Sequence, residues 1–251
     1  MSKIAFITGA TSGIGKATAL LFARQGINLI ICGRRADRLE ELKSQIESMV
    51  KVHILAFDVR DEQAVMKAIN SLPEEWKTVD ILVNNAGNAH GLAPIHEGST
   101  EDWNAMLDIN VKGLLFVSKA IIPGMVSRKS GHIVNIGSIA GKEVYPNGNV
   151  YCASKFAVDA ITSGMRLDLN PYGIRVTGIH PGLVETEFSL VRFKGDEQRA
   201  GSVYKGFKPL VAEDIADVIW YTVNCPPHVM ISDLTILPTA QASATIVNKN
   251  L

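Results

Sequence analysis

Short apolar runs alternate along the chain with longer stretches in which apolar residues recur every three or four positions. The runs Ile4–Thr8, Asn28–Cys32, Val52–Phe57, Ile81–Asn84, His132–Ile136, Arg175–Ile179 and Leu234–Leu237 predict seven strands. Most are apolar throughout rather than alternating, as parallel strands covered on both faces must be. The stretches between them, Gly13–Gln25, Arg38–Met49, Glu62–Ser71, Glu101–Ser127, Val150–Leu169 and Glu213–Asn224, predict helices. In the stretch from Val150, the residues Val150, Ala157, Val158, Ile161, Met165 and Leu169 form a stripe that Pro171 and Gly173 end. Repeated strand–helix units predict a doubly wound α/β fold, with a parallel sheet of about seven strands and helices on both faces. With no linker, repeat or low-complexity tract, residues 1–251 read as one domain. Only the segment from Pro181 to Val211, with Gly182, Gly195, Gly201 and Gly206, shows little obvious structure. A long connection of that kind inside a compact domain is either functional or disordered.

The first strand runs into Thr8-Gly9-Ala10-Thr11-Ser12-Gly13-Ile14-Gly15, which opens the first helix. Glycines permit a tight turn, and free N–H groups at a helix N-terminus attract an anion such as a pyrophosphate. The spacing is G-x-x-x-G-x-G rather than the common G-x-G-x-x-G, and Thr18 stands where the latter would place its last glycine. A ligand-free turn would read the same; its place at the first strand-to-helix junction favours a dinucleotide. The second strand ends Cys32-Gly33-Arg34-Arg35, with no acid before Asp37. An acid there would suit the ribose 2′-hydroxyl of NAD, whereas two guanidiniums suit the 2′-phosphate of NADP. Arginines that merely face water are disfavoured beside a helix start.

Composition narrows the partners. The 25 basic and 25 acidic residues cancel to a net charge of zero, which argues against nucleic acid. No apolar run reaches the roughly 18 residues needed to cross a bilayer. Met1-Ser2-Lys3 lacks the layout of a signal peptide. Cys32, Cys152 and Cys225 form no CxxC, and the six histidines show no ligand spacing, so neither a disulfide framework nor a metal is expected. A reducing cytoplasm is the expected setting.

Tyr151-Cys152-Ala153-Ser154-Lys155 places a phenol and an ammonium on one face of a predicted helix. The cation is expected to lower the Tyr151 pKa and make it a competent general acid/base. Cys152 points about 100° away and reads as packing. A second Y-x-x-x-K, Tyr204-Lys205-Gly206-Phe207-Lys208, sits in the irregular segment and reads as surface. Company separates the two. Ser138 follows the fifth strand 13 residues before Tyr151, at the sheet edge where open parallel sheets bind ligands, while Val191 holds that place before Tyr204. Asn84-Asn85-Ala86-Gly87 reaches the same edge. Asn110, in the following helix, reads from spacing alone as a tolerated polar residue.

Together T-G-x-x-x-G-I-G, N-N-A-G and Ser138…Tyr151-x-x-x-Lys155 resemble the short-chain dehydrogenase/reductase family. The likeness covers nearly the whole chain in one order, with Asp58-Val59, Asn110-Val111-Lys112-Gly113 and Pro181-Gly182 in place. It implies a Rossmann-type domain, commonly tetrameric, with Tyr151 as proton donor and acceptor. It also implies that Lys155 tunes Tyr151 and holds the nicotinamide ribose, that Ser138 orients the substrate oxygen, and that Asn110 supports a proton path. By the same resemblance Gly9, Ala10, Thr11, Ser12, Gly13, Ile14 and Gly15 meet the pyrophosphate, and Arg34 and Arg35 the 2′-phosphate. Asp58 and Val59 flank the adenine, Asn85, Ala86 and Gly87 lie beside the ribose, and Pro181, Gly182, Leu183, Val184 and Thr186 cap the nicotinamide. A basic residue found inside the glycine turn of some NADP-using members is missing, because Ser12 stands there.

In this family the segment at about 183–211 forms a substrate lid. Its E-F-S-x-V-R-F-K-G-D run, with Gly148-Asn149-Val150 before Tyr151, resembles the NADP-dependent 3-hydroxy acid dehydrogenases acting on serine, allo-threonine and similar small acids. A carboxylate substrate needs a cation, which Arg192 or Lys194 could supply. The alternatives are a 3-oxoacyl-carrier-protein or general carbonyl reductase, whose carrier would prefer a basic docking surface that a net charge of zero does little to support, and a non-catalytic NADP-binding scaffold, which needs none of Ser138, Tyr151 and Lys155.

Overall fold

Seven parallel strands form one sheet in the computed structural model, which describes residues 2–250. They are β1 (Ile4–Thr8), β2 (Asn28–Gly33), β3 (Val52–Ala56), β4 (Ile81–Asn84), β5 (His132–Ile136), β6 (Arg175–Pro181) and a last strand, Asp233–Ile236. Their order is β3-β2-β1-β4-β5-β6 followed by that last strand. The chain direction of winding reverses between β1 and β4, so the crevice for ligands opens beyond the carboxyl ends of those two strands.

Alternation along each strand feeds two apolar layers. Ala5 and Ile7 of β1, with Leu29 and Ile31 of β2, face one layer, which α1 (Gly13–Arg24), α2 (Ala36–Ile46) and the late helix Ala212–Val223 complete. Phe6 and Ile30 face the other, completed by α3 (Glu62–Asn70), by the long helix 100–128 and by the helix Asn149–Leu169. Both faces of every central strand are therefore buried, which is why these strands are apolar throughout. Each fully buried Leu or Ile contributes about 1.5–3 kcal/mol.

The stretch 100–128 departs from a single regular helix. It consists of α4 (Thr100–Leu107), a π-helical turn at Asp108–Gly113, and α5 (Leu114–Arg128). By length and composition it could cross a membrane, yet its apolar residues Leu114, Val117, Ile121 and Met125 pack into the layer beneath the sheet. The following helix, α6 (Asn149–Leu169), carries the first Y-x-x-x-K.

The segment after β6 is more ordered than its sequence suggests. β7 (Val184–Glu185) pairs with β8 (Leu210–Val211), and α7 (Phe188–Arg192) and α8 (Glu197–Ser202) fold between them. Then come α9 (Ala212–Val223) and the last strand, β9 (Asp233–Ile236). Helices of five and six residues are too short to show a helical period, so the sequence reads them as irregular.

Candidate functional site

A cavity of about 450 Å³ runs along the carboxyl edge of the sheet, from Arg34 and Asp58 past the glycine turn to Ser138, Tyr151 and Arg192. Its floor is set by the junction of β1 and β4. Thr8 Oγ1 accepts from the Asn85 and Ala86 N–H groups at 2.9 and 2.8 Å. The Asn85 side chain donates back to the Thr8 carbonyl at 2.8 Å. Asn85 thus braces the glycine turn as well as lining the cavity. Gly9 (φ +66°) and Gly13 (φ +51°) take left-handed backbone. A Cβ on Gly15 would lie 2.3 Å from the Gly9 carbonyl, so this turn closes only with glycine. At Thr18 no glycine is needed, because its hydroxyl bonds to the Ile14 carbonyl of the same helix at 2.7 Å. Ser12, at the N-cap of α1, makes no side-chain cap, which leaves first-turn N–H groups to an anion.

The arginines are placed unequally. Arg35 donates to Thr11 Oγ1 (2.8 Å), Ser12 Oγ (2.9 Å) and Glu187 (3.1 Å). Arg34 is exposed and stands 3.8 Å from Asp58, which Arg60 holds at 2.6 Å. Burial works to raise the Asp58 pKa, but the Arg60 hydrogen bonds and the neighbouring cations hold it below the usual carboxylate range. Arg38, unmarked by any motif, reaches Glu187 at 2.6 Å. Val59 is buried beside the cavity mouth, and Thr186 packs 3.4 Å from where a Gly13 Cβ would lie.

Deeper in, Tyr151 and Lys155 lie on one face of α6, both buried. Lys155 Nζ donates to the Ile136 carbonyl at 2.9 Å, and burial pushes its pKa down to about 8. Burial likewise pushes the Tyr151 phenol up, with the Tyr145 hydroxyl adding to it and Arg192 and Ser138 acting against it. The expected lowering of Tyr151 by Lys155 is not seen: burial raises the phenol, and the ammonium is turned to a backbone carbonyl. Asn110 sits in the π-helical turn. Its amide donates to the Asn88 carbonyl (2.9 Å) and Ser154 Oγ (3.0 Å), and its carbonyl accepts from the Asn88 N–H (2.9 Å). It is a buried clamp between the long helix, α6 and the chain after β4, not a tolerated polar residue. π-turns often mark functional positions.

Arg192 closes the far end. Its guanidinium lies 4.9 Å from the Tyr151 ring centre and 5.4 Å from that of Phe188, and Nη2 donates to Tyr145 Oη at 2.6 Å. Nε is buried without a partner. Lys194 faces away and pairs with Asp102 at 3.0 Å. Tyr204, expected at the surface, instead lines the cavity; its hydroxyl bonds Ser189 Oγ (2.7 Å) and donates to the Val184 carbonyl (2.9 Å). Cys152 is buried beside Tyr151, as packing. Gln241, which accepts from the Leu183 N–H at 2.9 Å, and Tyr145, Phe188 and Glu187 also line the site. Gln241 and Tyr145 carry no motif and are brought in by tertiary folding; Glu187 and Phe188 open the E-F-S run of the lid.

The model of the short chain dehydrogenase family matches residues 3–196. The chain belongs to that family. It is 46% identical over 252 residues, all of both chains, to sulfoacetaldehyde reductase 2 of Chromohalobacter salexigens. It is 45% identical over 242 residues to the NADP-dependent 3-hydroxy acid dehydrogenase of Escherichia coli (strain K12), covering 96% of this chain and 97% of that one. A solved structure, the closed form of serine dehydrogenase complexed with NADP+, superposes with a TM-score of 0.93 at 44% identity and covers 98% of each chain. Family membership makes the chain an oxidoreductase, and its seven-stranded sheet matches that of the solved relatives.

Proposed function

We propose that the protein is an NADP-dependent dehydrogenase/reductase of small acids that carry a hydroxyl, or an aldehyde, one carbon removed from the acid group. The observation that carries this reading is Arg192, a cation with no carboxylate partner among the described residues and a buried unpartnered Nε, facing the cavity beside Tyr151. NADP fits the residues present: open first-turn N–H groups for the pyrophosphate, and Arg35 beside Thr11 and Ser12 for the 2′-phosphate. Arg34, Asp58 and Val59 line the adenosine end, and Ala86, Gly87, Pro181, Gly182, Leu183, Val184 and Thr186 the nicotinamide end. When bound, the nicotinamide exchanges a hydride with the carbinol carbon.

The chain's own residues do the rest. Ser138 holds the substrate oxygen. Tyr151 takes the hydroxyl proton during oxidation and returns it during reduction. Lys155, on the same face of α6 as Tyr151, would hold the nicotinamide ribose and bring positive charge near the phenol, which favours loss of its proton. Asn110 keeps the chain at Asn88 in place beside them. Arg192 and Tyr145 seat the acid group, and the segment 183–211 acts as a lid. Serine, allo-threonine and 3-hydroxypropionate meet this description.

A sulfonate such as 2-hydroxyethanesulfonate meets it equally, with the same separation between anion and carbinol carbon. The 46% identity to sulfoacetaldehyde reductase 2 favours including it. The test is absorbance at the reduced-nicotinamide band with both acid types and both cofactors. Turnover with NADP+ supports the reading and ranks the acids. Silence on every carboxylate and sulfonate, with cofactor bound, would overturn the substrate assignment. We place the protein in the cytoplasm, as a homotetramer acting without nucleic acid or membrane; light scattering in solution checks the assembly.

A further inference from the structure

One turn further along α6 from Lys155 lies a cluster that the proposed chemistry does not use. Lys142 Nζ stands 2.8 Å from Asp159 Oδ1 and 2.8 Å from Asp233 Oδ2. His180, 1% exposed, brings Nε2 to 3.2 Å from Asp233 and 3.7 Å from Asp159. The two carboxylates and the imidazole could hold a divalent ion, since their ligand atoms lie within 4.8 Å of one another. The Lys142 ammonium already bridges the two carboxylates and supplies that charge.

The four groups come from the segments that carry the candidate catalytic residues. Lys142 ends the single 3-10 turn (Ile139–Gly141) that begins at Ser138, whose hydroxyl accepts from the Ala140 N–H at 3.1 Å. Asp159 lies one helical turn beyond Lys155 on α6, in line with Tyr151. His180 directly precedes Pro181 and Gly182, and Asp233 opens the neighbouring β9. Contact is close on both sides of Ser138. A Cβ on Gly137 would meet the His180 ring at 2.4 Å, and one on Gly141 would meet the Lys155 carbonyl at 2.6 Å. The Ser138 turn is therefore pressed between His180 and α6, and its outer end is tied by Lys142 to α6 and β9 together.

We propose that Lys142 is a positioning residue, which with Asp159, Asp233 and His180 sets the placement of Ser138 against Tyr151. The idea rests on the assignment of those two residues above. A small misplacement of a hydroxyl that orients the reacting oxygen is costly, whereas the adenosine and pyrophosphate contacts of the cofactor, at the opposite end of the cavity, are left in place and hold most of its affinity.

The test compares Lys142→Met, Lys142→Arg and Asp233→Asn with Ser138→Ala and Tyr151→Phe in the full-length protein. Expected for Lys142→Met is a fall in kcat of about tenfold or more, with NADPH affinity within about twofold of the parent. Lys142→Arg, which can still bridge both carboxylates, recovers most of it. Asp233→Asn falls between and guards against misfolding of the methionine variant. Unchanged kcat in Lys142→Met, or loss of kcat and NADPH binding in parallel in all three variants, overturns the proposal. So does loss of parental activity on dialysis against a chelator, which would put a metal there. If Tyr151→Phe keeps its turnover, the catalytic assignment itself fails; if it is inactive while Lys142→Met is not, only the positioning role does.

Discussion

Tyr151 and Lys155 each carry a cost that burial imposes and that function requires. A phenol pushed up by desolvation holds its proton until a cation is brought to it, so Tyr151→Phe should remove the group that moves the proton. General acid/base groups are worth about 10²–10⁴-fold, so kcat should fall at least a hundredfold while NADPH titration by fluorescence is unchanged. Lys155 makes the opposite sacrifice. Its pKa is about 8 in the folded protein against 10.5 ordinarily, so between those values the unfolded chain binds more protons. Wild-type stability therefore gains from this residue as pH rises from about 8 to 10.5. Lys155→Met, which has no charge to bury, should melt a few degrees higher than wild type at pH 7 and be inactive. Its advantage should shrink through that window in calorimetric melts, and a constant difference across pH would contradict the burial argument.

At the scale of elements, all seven strands are legible in the sequence, β1, β4 and β5 to the residue, the central ones because strands covered on both faces must be apolar throughout. The glycine turn and the shared face of Tyr151 and Lys155 are legible because both follow from local spacing. What is not legible depends on distance in the chain or on phase. Glu187 meets Arg35 across 152 residues, and the Arg192–Tyr145 contact spans 47. The π-turn at Asp108–Gly113 adds about one residue to a helix, which a periodicity of 3.6 over the stretch absorbs unseen. Tyr204 reads as surface because α7 and β7, whose Ser189 and Val184 hold its hydroxyl, are too short to leave a pattern. The lid's hold is open to test. Glu187 pairs with both Arg35 and Arg38, all three partly exposed. Such pairs contribute about 0–1 kcal/mol each, so Glu187→Gln should speed NADPH release several-fold in stopped-flow fluorescence, with little change in melting temperature.

Across the whole molecule, cofactor recognition and stability are linked by mass action. A ligand that binds only the folded state, at a hundred times its Kd, stabilises by about 2.7 kcal/mol. NADPH should therefore raise the melting temperature clearly more than NADH at equal concentration. Arg34→Ala combined with Arg35→Ala should erase that difference; if the preference survives, the 2′-phosphate is read elsewhere. The double layer of apolar side chains around the sheet is untouched by these changes, so the cofactor-free melt should stay near that of the parent.

One short helix joins the two ends of the cavity. α7 is five residues long, with Glu187 at its N-cap gripping the arginines of the cofactor end and Arg192 in its last turn facing the acid seat. At about 1.5 Å per residue it is a rod under 10 Å long, too short to bend between its ends. An acid seated on Arg192 would fix that rod across the route to the pyrophosphate turn. The order of arrival expected from this is NADP+ first, with NADPH leaving last. Product-inhibition kinetics should show NADPH competing with NADP+, and the oxidised acid competing with neither cofactor form.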